Sequence, residues 1–116
     1  MNAATVVSTG RVEPSALTCP DCGGALWESG DGNLARYACH VGHGFSAEAL
    51  EISQNENLET ALWSAVRALE ERAELQRRMA RRLQDAGLAA LASEYQERSA
   101  AAEQRAATIR SVLMQV

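Results

Sequence analysis

Four residues in the first half of the chain have the types and spacing for one kind of chemistry: Cys19 and Cys22, then, after sixteen intervening residues, Cys39 and His43. The C-x2-C and C-x3-H pairs are two short chelating turns. Joined by a connection of hairpin length, they can present three sulfurs and one imidazole nitrogen to a single ion without strain, and zinc prefers such a set in tetrahedral arrangement. Four protein ligands leave no position for a reactive water, so the expected ion is one structural Zn2+ per chain. The glycines agree with this. Gly23 and Gly24 follow the first pair and Gly42 precedes His43, where a backbone wrapping a metal needs positive φ or close approach.

Other readings compete for the same residues. Cys19-Pro20-Asp21-Cys22 alone could be a thioredoxin-like redox pair, but that chemistry needs a helix opening at the first cysteine, and Gly23-Gly24 breaks one. Unrelated buried cysteines would have to fall into two tight clusters by chance. The histidine is less constrained than the cysteines, because His40 and His43 both lie in Cys39-His40-Val41-Gly42-His43. Adjacent side chains diverge, which favours His43 as the ligand and leaves His40 at the surface or behind the ligands.

Elements must position these groups. Ala25-Leu26-Trp27-Glu28 and Leu34-Ala35-Arg36-Tyr37-Ala38 read as two strands of a hairpin whose turn, with Asp31-Gly32 in it, folds Cys39 back beside Cys19 and Cys22. Trp27 and Tyr37 are expected to cover a core too small to hold without metal. Residues 1–15 read as a disordered tail. After the ribbon, Ser46 can accept from free N–H groups of a helix start with Glu48 in its first turn. The helix should run to about Ala86, with a break near residues 53–57, where Ser, Asn and Gln side chains compete for backbone hydrogen bonds. Gly87 ends it, in a turn near residues 86–88.

Leu58, Leu62, Ala65, Val66, Leu69 and Ala73 form one apolar stripe on this helix, which Leu75, Met79 and Leu83 should continue. A second helix from Leu88 repeats Leu91, Tyr95, Ala102, Ala106, Ile109, Leu113 and Val116, with Arg98 or Ser99 at its weak step. So short a connection makes the two antiparallel. The expected architecture is α+β: a zinc ribbon over residues 16–45, a β-hairpin with two metal knuckles, followed by a long helical hairpin over residues 46–116. The apolar residues span a wider arc than one facing helix covers, with Leu62, Val66 and Leu69 on one side and Trp63, Leu75 and Met79 turned away from them, which predicts a protein partner for the helical hairpin, most simply self-association into a four-helix bundle.

Composition bounds the function. The chain has 116 residues, a formal charge of −4 and three cysteines, and all its basic residues are arginine. That length allows one domain or a small metal module with an appendage, too little for a large enzyme with its own cleft. No signal-like start and no run of about 20 apolar residues is present, so the expected location is cytoplasmic, away from the membrane. Arg77, Arg78, Arg81 and Arg82 form a basic cluster that a nucleic-acid binder would want. Helix-end cations and the i,i+4 pairs Glu74 with Arg78 and Arg81 with Asp85 account for it more simply, and no aromatic residues interleave.

The motifs Cys19-Pro20-Asp21-Cys22-Gly23-Gly24, Leu26-Trp27-Glu28, Cys39-His40-Val41-Gly42-His43 and the run from Ala61-Leu62-Trp63 to Leu69-Glu70-Glu71-Arg72 resemble the C-terminal extension of some chemotaxis-type protein-glutamate methylesterases. The likeness spans roughly residues 17–113. It implies a zinc-ribbon and helix appendage with ligands at Cys19, Cys22, Cys39 and His43. The catalytic domain of that family has no counterpart here: no G-x-S-x-G occurs, and both histidines sit in the ribbon. The reading that results is a non-enzymatic zinc-binding interaction or regulatory module in a bacterial signalling context. The alternatives are a zinc-ribbon nucleic-acid binder and a thiol redox sensor that ejects zinc on oxidation.

Overall fold

The structure, a computed structural model, describes residues 12–30 and 34–115. Strands β1 (Glu13–Thr18), β2 (Ala25–Ser29), β3 (Arg36–Ala38) and β4 (Gly44–Ser46) are followed by helices α1 (Ala47–Asp85) and α2 (Ala89–Leu113). The strands form one antiparallel sheet in the order β1-β2-β3-β4. The α+β class expected from the sequence is therefore the class observed. The chain divides into two compact units between Asn57 and Leu58, within α1.

The first unit is larger than the two-stranded ribbon expected. β1 begins at Glu13, inside the stretch read as a tail, while residues 1–11 and the expected Asp31-Gly32-Asn33 turn tip lie outside the described residues. The period-2 signal fails in β1 for a physical reason: Ala16 has φ 64°, and the register with β2 shifts between Pro14 and Thr18. At that bulge the Ser15 hydroxyl donates to the Leu26 carbonyl (2.8 Å) and accepts from the Leu17 N–H (3.1 Å), replacing ladder bonds that the irregular backbone omits.

Leu26, Phe45 and Leu50 pack with Cys19 and Cys39 in the core of this unit, and Tyr37 packs partly buried against them. Trp27, expected as the cover, is only half-buried, because alternation along β2 turns it away from the face that holds Leu26. Its ring meets His40 edge-on at 6.3 Å. Leu50 comes from the second turn of α1, so the start of the helix completes the core.

α1 is continuous through residues 53–57, where a break was expected. The Asn57 side chain does not compete for its own backbone. Its amide donates instead to the Pro20 carbonyl at 2.9 Å. At the N-terminus Ser46 accepts from the Ala49 N–H (3.1 Å), the expected cap. At the C-terminus Gly87 has φ 80°, the Leu88 N–H donates to Leu83 and the Gly87 N–H to Gln84. Those paired bonds close the helix end, and the left-handed conformation they need suits glycine.

The second unit is an antiparallel hairpin. Its α1 seam is Leu62, Val66, Leu69, Ala73, Gln76, Ala80 and Leu83, alternating steps of four and three, and its α2 seam is Ala92, Tyr95, Ser99, Ala102, Ala106, Ile109 and Leu113. The expected stripe holds at Leu62, Val66, Leu69, Ala73 and Leu83, but Leu58 is 49 % exposed and Ala65 lies beside the seam. Leu75 is 59 % exposed while Ala80 is 1 % exposed, and Leu91 is 41 % exposed while Ala92 is fully buried. Small side chains let the axes approach, and the larger ones beside them are left on the flanks. Val116 lies outside the described residues. Among the described residues no helix is long and apolar enough to cross a membrane.

Candidate metal centre

Both chelating turns sit where a hairpin closes. β1 and β2 end at the pair Thr18 and Ala25, and the loop between them carries Cys19 and Cys22. β3 and β4 end at Ala38 and Gly44, and their loop carries Cys39 and His43. In the first loop the Cys19 N–H donates to Gly24 (2.7 Å) and the Gly23 N–H to Cys19 (2.9 Å). In the second, the Cys39 N–H donates to His43 (3.1 Å) and the Gly42 N–H to Cys39 (3.2 Å). Each backbone thus curls around its own first cysteine. Gly42, at φ 105°, makes the turn that swings His43 back over Cys39.

The four ligand atoms lie within 4.8 Å of one another. Cys22 Sγ is 3.7 Å from Cys39 Sγ, and His43 Nδ1 is 3.6 Å from Cys19 Sγ and 3.3 Å from Cys39 Sγ. Tetrahedral zinc with its usual bond lengths would set sulfur–sulfur separations at about 3.8 Å and sulfur–nitrogen separations at about 3.5 Å. The donor set and its spacing fit that ion. All four groups come from loops that backbone hydrogen bonds already hold, so little rearrangement separates this arrangement from a coordinated one.

The surroundings also favour thiolate. Burial pushes the Cys39 thiol up, but the backbone N–H groups of His43, Val41 and Gly42 and the thiol of Cys22 outweigh it and bring Cys39 down to about 6. The Gly24 backbone lowers Cys22, yet burial and hydrogen bonds with Cys19 and Cys39 prevail, so Cys22 is raised. Neighbouring thiols such as Cys22 and Cys39 split in this way: one ionises readily and makes the next harder to ionise. A divalent ion would hold all three as thiolates.

Cys19 and Cys39 are buried, Cys22 is exposed, and His43 is half-buried. His40 is exposed and lies outside the group, beside Trp27. The sequence reading missed Phe45 and Leu50, which pack against the buried cysteines. A cue was available: Phe45 follows the second loop by two residues, on the face that the hairpin turns inward.

The basic cluster is largely absorbed. Glu74 meets Arg77 and Arg78 at 2.9 Å and Arg81 at 3.9 Å, and Arg77 also pairs with Glu103. The Arg78 and Arg77 hydrogen bonds hold the Glu74 carboxyl below its usual range. Arg81 faces Glu74 at 3.9 Å, not the expected Asp85.

Fold and site together define a small α+β protein with a Cys3His group arranged as a metal centre. Compared with known protein families, curated proteins and solved structures, the chain matches none.

Proposed function

We propose that the chain is a non-enzymatic interaction module in which one structural zinc fixes the first unit and the helical hairpin supplies a binding surface. The observation that carries this is the grouping of four ligand atoms within 4.8 Å: Cys19, Cys22, Cys39 and His43 would fill all four positions of a tetrahedral ion and leave none for a substrate or water. In that role the ion, held by Cys19, Cys22, Cys39 and His43, would cross-link the two hairpin ends. The regulatory or signalling context rests on the sequence resemblance to the methylesterase extensions alone, and the pairing of the arginine cluster with Glu74 and Glu103 weighs against nucleic acid.

Metal analysis of the purified full chain tests the reading. One zinc per chain is expected, with loss of the near-ultraviolet signal of the ribbon on chelation and retention of most helical signal. A chain that holds no zinc, or whose ribbon is indifferent to chelation, overturns it. Ester hydrolysis that survives removal of contaminating activity and disappears in a His40→Ala or His43→Ala chain would overturn the non-enzymatic part.

A further inference from the structure

The two flanks of the helical seam differ in charge. On one flank the helices are tied by ion pairs, Arg77 with Glu103 and Arg110 with Glu70, each seven residues from the next along its helix. The other flank is reached by counting to the opposite side of the seam. On α1 it carries Leu58, Leu75 and Met79 with alanines 61, 65 and 68 between them, and its charged positions are Arg72 and Arg82. On α2 the residues bordering it are Leu91, Glu94, Arg98, Arg105 and Val112, with Glu94 its one carboxylate against two arginines. The nearest acidic residue of this part of α1 is Glu71, at the stripe's outer edge about 20° from Arg82.

These arginines are not neutralised. Among the described residues Arg72, Arg82, Arg98 and Arg105 take part in no ion pair, although every other arginine of the last α1 turns does. Arg98 lies over the Tyr95 ring at 4.8 Å. Leu58 is 49 %, Leu75 59 % and Val112 47 % exposed. A chain of net charge −4 therefore keeps a basic, apolar strip on one side of its hairpin. Trp63 does not belong to it, since it lies about 120° round the helix from Leu75.

We propose that this flank docks an acidic amphipathic helix of a partner protein. The inference rests on the interaction-module reading and gives its partner a chemistry. Alanines at 61, 65 and 68 allow a third helix axis to come close, and Leu58, Leu75 and Met79 offer side chains for it to pack between. Arg72, Arg82, Arg98 and Arg105 lie on or beside that face and would select carboxylates at the positions beside the partner's apolar stripe. A second copy of this chain meets the requirement poorly, because two such flanks brought face to face set arginine against arginine. A bilayer meets it poorly too: an alanine-rich stripe carries little apolar area to insert, and the large apolar residues are few.

Fluorescence anisotropy on the full zinc-loaded chain tests this, with a labelled helical peptide of about three heptads bearing leucine at its seam and glutamate at the bordering positions. The same peptide with lysine for glutamate is the counter-probe. Vesicles of phosphatidylserine and phosphatidylcholine, and sedimentation of the chain alone, address the other occupants. Saturable binding of the glutamate peptide is expected, weakened at least about tenfold by Arg72→Glu with Arg105→Glu, and little changed by Arg67→Glu, a like charge change elsewhere on α1. Circular dichroism confirms that each variant stays helical. No binding, equal binding of the lysine peptide, equal loss with Arg67→Glu, or occupation of the flank by vesicles or a second copy overturns the proposal. Zinc content is measured on the same samples: peptide binding by a chain without zinc overturns the ribbon reading alone, and a zinc-loaded chain that ignores the peptide overturns this one.

Discussion

The Ser99 hydroxyl of α2 donates to the backbone carbonyl of Ala73 on α1 at 2.9 Å, fully inside the helical hairpin. A side chain reaching a backbone carbonyl of the facing helix is short-range evidence of close axes. Ala73, Ala80, Ala92, Ala102 and Ala106, all nearly inaccessible, are what permit the approach. The seam therefore has room for methyl groups and little more.

Ala102→Leu, which improves the heptad pattern on paper, is expected to destabilise the hairpin by about 1–3 kcal/mol through overpacking. Leu75→Ala, at a position more than half exposed, should stay within about 0.5 kcal/mol. Urea unfolding followed at a helical wavelength compares the two. A stabilised Ala102→Leu chain would mean that the axes are farther apart than the Ser99 bond requires.

Gln76 occupies a seam position at 8 % exposure, and its side-chain oxygen has no hydrogen-bond partner. Replacing that acceptor by an apolar group of similar size should stabilise, since an unpaired buried polar atom costs about 1–3 kcal/mol. Gln76→Met is the cleaner variant, because it keeps the unbranched shape. A loss of stability would show that the oxygen has a partner in solution, water being the simplest.

Ala16 holds a left-handed backbone conformation that costs a residue with a β-carbon about 1–2 kcal/mol. Glycine removes that strain and adds unfolded-state entropy of about 0.5–1 kcal/mol against it. Ala16→Gly is thus expected to stabilise the zinc-loaded first unit by up to about 1 kcal/mol, read from amide exchange of β1 and β2. Ser15→Ala should do the opposite, by removing both bonds that span the bulge.

Cys39→Ser is expected to abolish zinc retention and the structure of the first unit, because metal affinity, about 10–16 kcal/mol apparent in zinc-finger peptides, is folding free energy for such a site. His43→Ala should weaken zinc binding and His40→Ala should spare it, which competition with a chromogenic chelator measures. The pH dependence has a definite sign. Cys39 ionises at about 6 in the folded chain against 9.0 in the ordinary thiol, so the metal-free first unit gains stability from this group as pH rises from 6 to 9 and loses it as pH falls through about 6. Zinc retention falls in the same direction, since protons and the ion compete for the same sulfurs.

The metal group was legible because its ligands come in local pairs, Cys19 with Cys22 and Cys39 with His43, and spacing alone identifies a local pair. Gly87 was legible for the same reason: a helix end leaves its mark on adjacent residues. What escaped reading depends on residues far apart. β1 carries no alternation, since Ala16 bulges it and Pro14 stands within it, and only its pairing with Glu28 and Trp27 makes it a strand. β4 is three residues long and shares Ser46 with the cap of α1. Leu50 looked like one more helical leucine until the sheet was present to receive it. In the hairpin, hydrophobicity pointed to Leu75 and Leu91, whereas close packing selected Gln76, Ala80 and Ala92. At those three positions the buried side chains are small or polar and their larger neighbours are exposed, so a hydrophobicity scale picks the neighbours.

The two hairpin-end loops have a kinetic consequence. Each brings its ligands together within three or four residues, so each is a bidentate chelator before the sheet has formed, and the larger closure, from Cys22 to Cys39, comes second. Zinc would be captured in two stages, with a half-coordinated species between them. Release would run the same route backwards: a competing chelator would need only to open the Cys39 and His43 loop to reach the ion. Exchange between proteins would then proceed by hand-over, through a shared zinc, at a rate set by the frequency with which one short loop opens and not by global unfolding.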